Sequence, residues 1–255
     1  MAELTKNIYR TVRSLDERKT RRKECAFKAE GTKCVLDTLG HFTLRNLFAT
    51  HEWLEMHQQS VRKHCHGDEP VKVTRNDLSR MSSLSTPADV IAVYDIPELK
   101  FDPQSLSENL ILALDTIQDP GNLGTIIRVA DWFGVHDILC SQETADCFSP
   151  KVIQSTMGSI SRVKLYYGCL PEMIRAVGAK NVYGTFLDGE NISNATLADK
   201  GIIVIGNEGK GISAEVEATV SERLLIPSYP EGQETGESLN AAIATAITLA
   251  KFRGV

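Results

Sequence analysis

The chain has 255 residues, of which 42% are hydrophobic and 24% charged, and its formal net charge is −5. That is the composition of an ordinary globular protein, long enough for one large domain or two small ones. No apolar run approaches the roughly 20 residues that span a bilayer, the basic N-terminal segment lacks the apolar core of a signal peptide, and the six cysteines show neither a CxxC pair nor framework spacing. The expectation is a cytoplasmic chain with free thiols and no membrane partner.

Leu4, Ile8, Val12 and Leu15 recur at helical spacing among charged residues. Residues 1–28 hold nine Lys/Arg against four acids, a local charge of +5, which leaves −10 for the rest. Attraction to a polyanion is therefore local to the N-terminal part, and the charge alone fits a solvated basic helix equally well. Cys25 to Lys28 predicts a strand, and Gly31 opens a helix carrying Cys34, Val35 and Leu39. Arg45 to Thr50 reads as a strand, Glu52 to Gln59 as a helix, and His64-Cys65-His66-Gly67-Asp68 as a polar loop. Adjacent residues seldom supply two ligands to one zinc, and no second ligand pair lies at the usual spacing, so no metal is expected there. Val71 to Thr74 is a strand, Asn76 can cap a helix at Asp77 to Met81, and Val90 to Tyr94 is a further strand. Residues 95–108, with two prolines and little periodicity, mark a boundary between a first domain at 1–100 and a second at 101–255.

Beyond the boundary the alternation is cleaner. Six strands are predicted at Leu110–Leu114, Asp137–Cys140, Val163–Tyr166, Val182–Leu187, Ile202–Ile205 and Leu224–Ile226. Helix-like stretches follow the first five, and an Ala-rich terminal helix from about Glu237 to Phe252 follows the sixth. Uninterrupted apolar strands indicate a mostly parallel sheet covered on both faces. Ligands of such sheets sit beyond the C-terminal strand ends, and three ends stand out. Asp115-Thr116-Ile117-Gln118-Asp119-Pro120-Gly121-Asn122-Leu123-Gly124 is a tight loop running into a helix from Thr125 to Phe133, in which Asn122 can cap that helix and Arg128 follows. Gly206-Asn207-Glu208-Gly209-Lys210-Gly211 is neither a dinucleotide fingerprint nor a P-loop, and it carries a carboxylate. Ile226-Pro227 leads through the polar loop of residues 228–237 to Ser238-Leu239-Asn240, where side-chain oxygens and backbone N–H groups converge on a helix start. In that helix Leu239, Ile243, Ile247 and Ala250 form an apolar stripe, and alanines cover most other faces.

Those three segments, in this order, resemble the three motifs of the SpoU (TrmH-like) RNA 2′-O-ribose methyltransferases of the SPOUT superfamily. The resemblance covers about residues 107–255. Residues 18–100 resemble the ribosomal-protein-like RNA-binding domain that many members carry, through Arg21-Arg22 and Ala29-Glu30-Gly31. It implies an α/β domain with a parallel sheet and a deep trefoil knot threaded by the last helix, a rare exception to the rule against knots. It also implies a homodimer, S-adenosylmethionine as methyl donor and no metal, while the N-terminal RNA-binding domain and the basic residues 6–28 favour ribosomal RNA as substrate over the alternative, transfer RNA. By position, Asn122, Arg128, Glu208, Ser238 and Asn240 would form the reaction site. Gly206, Ile226 and Leu239 would contact the donor, and Thr185 and Leu187 would line its adenosine pocket. A free Arg stays protonated, so Arg128 is expected to anchor the target phosphate and stabilise the emerging alkoxide, oriented by Glu208, Ser238 and Asn240. The loop 228–237 is longer than is common in the family, so donor contacts do not transfer to it. Two other readings fit parts of the chain: an inactive RNA-binding protein of this fold, and a nucleotide-dependent enzyme on a doubly wound sheet.

Overall fold

The computed structural model describes residues 6–65, 69–230, 236 and 238–255. His66, Gly67 and Asp68 of the polar loop lie outside this set, as do 231–235 and Glu237 of the long loop. The chain divides into two compact units, one of residues up to Glu98 together with Asp146–Ser161, the other of Leu99–Ala145 and Arg162–Val255.

The first unit runs α1 (Lys6–Ser14), α2 (Arg18–Glu24), β1 (Ala26–Glu30), α3 (Thr32–Thr38), β2 (Leu44–Ala49), α4 (His51–Met56), α5 (Gln58–His64), β3 (Val71–Lys72), α6 (Arg75–Met81) and β4 (Val90–Asp95). Its sheet has the order β1-β4-β2-β3, with β4 antiparallel to both neighbours. The single helix expected over Glu52–Gln59 is two short ones broken at His57, whose backbone leaves helical geometry (φ −113, ψ 22). Helix α6 is capped by Thr74 rather than Asn76. The Thr74 hydroxyl accepts from the Asp77 N–H at 3.2 Å and the Asp77 carboxylate accepts from the Thr74 N–H at 2.9 Å, a capping box. Asp146–Ser161 joins this unit through particular contacts: Arg21 pairs with Asp146 at 2.6 Å and Phe148 packs on Phe27 with ring centroids 4.7 Å apart.

The second unit runs α7 (Pro103–Leu106), β5 (Leu110–Leu114), α8 (Pro120–Trp132) and β6 (Asp137–Ser141). After α9 (Pro150–Thr156), which belongs to the first unit, it continues with β7 (Lys164–Gly168), α10 (Leu170–Val177), β8 (Val182–Asn191), β9 (Gly201–Ile205), α11 (Ala214–Glu217), β10 (Glu222–Leu225) and α12 (Ala241–Phe252). All six strands are parallel, in the order β10-β8-β9-β5-β6-β7. Every residue of β5 and β9 is buried, as apolar strands covered on both faces should be. Leu170, Ile174 and Val177 of α10 pack over Ile111, Ala113 and Val204 on one face. One expectation fails: β8 is followed by turns, not a helix. The Asn191 side chain accepts from the Ser193 N–H at 2.9 Å, a local turn that competes with helix.

The strand order positions the site. The chain enters at β5, builds outward through β6 and β7, and then crosses to β8 and β9 on the other side of β5. The β5/β9 boundary is thus a topological switch point. Leu114 lies opposite Ile205 in register, so the loops after both strands emerge side by side.

Candidate active site

The loop after β5 is tied down before α8 begins. Asp115 is buried and its carboxylate accepts from the Ser213 N–H at 2.7 Å. Thr116 has left-handed backbone geometry (φ 61), held in part by its N–H on the Ser141 hydroxyl at 2.9 Å. Helix α8 starts at Pro120, not Thr125. Its cap is Asp119, which accepts from the Asn122 N–H at 2.8 Å, with proline in the first turn where a missing N–H costs nothing. Asn122 is therefore in the first turn and its side chain is free for other work.

The loop after β9 is organised by Asn207. Its Oδ1 accepts from the N–H groups of Gly209 and Lys210 at 3.0 and 3.1 Å, and its Nδ2 donates to the Thr116 carbonyl at 2.8 Å, joining the two loops. Reciprocal backbone bonds between Asn207 and Gly211, 3.0 and 2.8 Å, close the turn. A Cβ on Gly206 would stand 2.4 Å from the Gly211 carbonyl carbon and 2.5 Å from the Ile212 nitrogen, so only glycine fits.

On this frame the predicted reaction residues meet. The Asn122 amide donates to the Glu208 carboxylate. Asn240 Nδ2 donates to Asn122 Oδ1 at 2.9 Å, and the Ser238 hydroxyl donates to the Glu208 carbonyl at 2.9 Å. Asn240 also caps α12, accepting from the Ala242 and Ile243 N–H groups at 3.0 and 3.3 Å. One cap residue thus fixes the helix start and orients Asn122. Beside this chain of bonds lies a cavity of about 460 Å³, whose lining includes Thr185, Leu187, Gly206, Ile226 and Leu239, together with Glu208 and Ser238. Tyr229 stands in solvent, 82% exposed.

Arg128 is placed differently. Six residues beyond Asn122 it points about 240° around the helix, on the face that carries Thr125 and Trp132. It is exposed and has no hydrogen-bond or ion-pair partner among the described residues. Glu208, Ser238 and Asn240 orient one another and Asn122 rather than Arg128. The terminal helix turns part of its apolar stripe outward. Ala241, Ala242, Thr245 and Leu249 are buried, whereas the larger side chains of the stripe, Ile243 and Ile247, are 53% and 39% exposed, and Trp132 of the neighbouring α8 is 86% exposed. Small residues let α12 pack closely inward and leave its aliphatic stripe outward.

Asp115, Asp119 and Asn207 are site-building residues to which sequence reasoning gave no role. Their signal was position: each sits at a strand end or directly before a helix, inside the segments already singled out.

An all-parallel α/β unit with two linked loops at its switch point, a capped helix closing a small-molecule cavity and a carboxylate–amide chain beside it defines a ligand-dependent transferase architecture. Residues 109–250 match the model of the SpoU rRNA methylase family and residues 6–92 that of the MRM3-like substrate-binding domain. The chain belongs to the SpoU rRNA methylase family. It is 33% identical over 186 residues to the 23S rRNA (guanosine(2553)-2′-O)-methyltransferase RlmP of Bacillus subtilis, covering 71% of each chain. It is 31% identical over 180 residues to an uncharacterized tRNA/rRNA methyltransferase of Synechocystis, of which it spans 64%. Among solved structures, a candidate RNA methyltransferase of the TrmH family from Porphyromonas gingivalis superposes with a TM-score of 0.87 at 39% identity, over 100% of both chains. An AdoMet-bound rRNA methyltransferase from Sinorhizobium meliloti superposes at 0.84 and 28% identity, over 100% of this chain and 97% of that one.

The residues present fit S-adenosylmethionine. The cavity volume lies within the range of about 300–1,000 Å³ usual for such ligands. Its walls join backbone groups of the Gly206–Gly211 turn to the apolar side chains of Leu187, Ile226 and Leu239, a pairing that suits a molecule with a polar nucleoside and an aliphatic arm.

Proposed function

We propose that this chain transfers a methyl group from S-adenosylmethionine to a ribose 2′-hydroxyl of ribosomal RNA. The observation that carries the reading is the hydrogen-bonded set Asn122, Glu208, Ser238 and Asn240, drawn from three strand ends, at the edge of a cavity that five donor-contact positions line. The likeness to a 23S rRNA methyltransferase and the match of residues 6–92 to a substrate-binding domain favour ribosomal over transfer RNA.

The donor, when bound, supplies a methyl group already activated by the positive sulfur. The work left to the chain is alignment, charge stabilisation and exclusion of water. Gly206, Ile226 and Leu239 hold the donor, and Thr185 and Leu187 flank its nucleoside. Glu208, fixed through its carbonyl by Ser238 and through its carboxylate by Asn122, accepts a hydrogen bond from the ribose. Asn240 prevents Asn122 from rotating away. Arg128 anchors the phosphate and stabilises negative charge that develops on the attacking oxygen.

The unpartnered Arg128 and the outward stripe of α12 support a homodimer formed through α8 and α12, in which Arg128 of one protomer serves the site of the other. In the same reading α12 is the threaded helix of a trefoil knot and the protein works in the cytoplasm, where six free cysteines are at home. The test is methyl transfer from labelled donor to unmodified ribosomal and transfer RNA, followed by mapping of 2′-O-methyl positions. A single ribose mark in ribosomal RNA is expected. Transfer to tRNA alone, to a base, or to neither pool overturns the reading.

A further inference from the structure

We propose that Arg223 is a positioning residue of the donor pocket, holding in place the chain segment that forms one of its walls. The inference rests on reading the cavity as the donor pocket.

Strand β8 pairs with β10 in two separate stretches. Tyr183 and Gly184 lie opposite Glu222 and Arg223, whereas Glu190 and Asn191 lie opposite Leu224 and Leu225. Arg223 and Leu224 are adjacent, so residues 185–189 leave this ladder as an excursion. They leave the other ladder too, because β8 and β9 part after Gly184 opposite Val204. Thr185, Phe186 and Leu187 of the excursion line the cavity. A wall without ladder bonds needs other restraints to keep one geometry.

Arg223 supplies them. Its guanidinium carbon lies 3.6 Å from the centroid of the Phe186 ring. One terminal nitrogen donates to Asp188 and the other to Glu217 of α11, which also lines the cavity. A single planar cation thus grips the excursion at two residues and ties it to a second wall. Lysine has the charge but cannot stack and donate along two directions at once. The Arg223 hydrogen bond holds the Asp188 carboxyl below its ordinary range. The return of the chain is equally particular: a Cβ on Gly189 would stand 2.6 Å from the Leu224 carbonyl carbon and 2.7 Å from the Arg223 oxygen. Thr185 contributes a hydrogen bond to the Val204 carbonyl at 3.4 Å where the excursion begins.

The test is calorimetric titration of the whole chain with S-adenosylhomocysteine, for wild type, R223A, R223K and the double variant D188N/E217Q, with steady-state kinetics alongside. Exposed ion pairs and cation–π contacts are each modest, so donor-site affinity should weaken about five- to tenfold in R223A and R223K. KM for the donor should rise by the same factor, while KM for RNA and kcat at saturating donor stay at wild-type values. The double variant keeps Arg223 over Phe186 and should weaken binding in the same direction; if R223A does not fold, unchanged affinity in the double variant overturns the inference. Wild-type affinity in both Arg223 variants overturns it and leaves the donor reading intact. A parallel loss of donor and RNA binding with a lowered melting temperature overturns it as general destabilisation. Failure of the wild-type protein to bind overturns the donor reading and the inference with it.

Discussion

At Lys28 an ammonium group is fully buried, 2.9 Å from the Asp16 carboxylate and 3.1 Å from that of Glu30, and it donates to the Met81 carbonyl at 2.7 Å. Glu30 is itself buried and accepts in addition from Ser82 and from the Ser83 N–H at 2.9 Å. Arg21, also buried, donates to the carbonyls of Leu15 and Asp16 at 2.8 Å each and to Asp146. Two of the nine basic residues counted at the N-terminus are therefore internal fasteners, buried and held by carboxylates and backbone carbonyls, and neither is placed to meet a phosphate. Arg10, Arg13, Arg18, Lys19, Arg22 and Lys23, all exposed, remain for a polyanion. Removing one member of a buried charged cluster strands the others without water. Lys28→Ala is expected to lower stability by about 3–5 kcal/mol in urea unfolding, whereas Arg22→Ala should change it by less than about 0.5 kcal/mol. Equal stability of Lys28→Ala and wild type would show that Glu30 finds water or takes up a proton at little cost.

Helix α8 shows how a cap one turn earlier changes the chemistry available to a site. Asp119, not Asn122, caps the helix by accepting from the Asn122 N–H, so the Asn122 side-chain amide is released to bridge Glu208 and Asn240. Asp119→Ala is expected to cost about 1 kcal/mol of stability. It should also lower kcat more than it raises KM for the donor, because the helix start that aims Asn122 loosens while the cavity lining stays. A loss confined to stability, with kcat unchanged, would separate the cap from the reaction. The strands of this unit were legible because uninterrupted apolar runs have little alternative in a doubly covered sheet: β5 begins and ends where its pattern does. The proposed reaction residues Asn122, Glu208, Ser238 and Asn240 were singled out because polar groups collect at strand ends and because their segments resemble the family motifs. What could not be read was direction. With Asn122 read as the cap of a helix from Thr125, its angle to Arg128 was undefined, and the apolar stripe at Ile243 and Ile247 carried no direction. Whether an apolar stripe points inward depends on which side the small residues pack, and that is set by tertiary contacts distant in sequence. The excursion of β8 was hidden for the same reason, since its first three residues, 185–187, read as strand until the register of β10 is known.

At the scale of the molecule, the proposed dimer, with α8 and α12 facing a second copy, would account jointly for the exposed Trp132, Ile243 and Ile247 and for an Arg128 that has no partner among the described residues. An isologous interface buries one patch on both partners, so a charge placed in the stripe is introduced twice and both copies must be desolvated. Ile243→Asp is expected to convert the proposed dimer to a monomer in sedimentation experiments and to abolish methyl transfer while the cavity still binds S-adenosylhomocysteine. The sharper consequence concerns which protomer supplies Arg128. Arg128→Ala and Glu208→Gln should each be inactive alone. If Arg128 acts across the interface, a mixed dimer places the intact Arg128 of one protomer beside the intact Glu208 of the other and regenerates one working site, the second carrying both defects. Random exchange of equal amounts makes half the dimers mixed, so activity should recover to about a quarter of wild type. If Arg128 served its own chain, every site in every dimer would retain one defect and mixing would restore nothing. With each single variant inactive, recovery therefore distinguishes the two arrangements, and the outward placement of Arg128, on a different face of α8 from Asn122, is the reason to expect it.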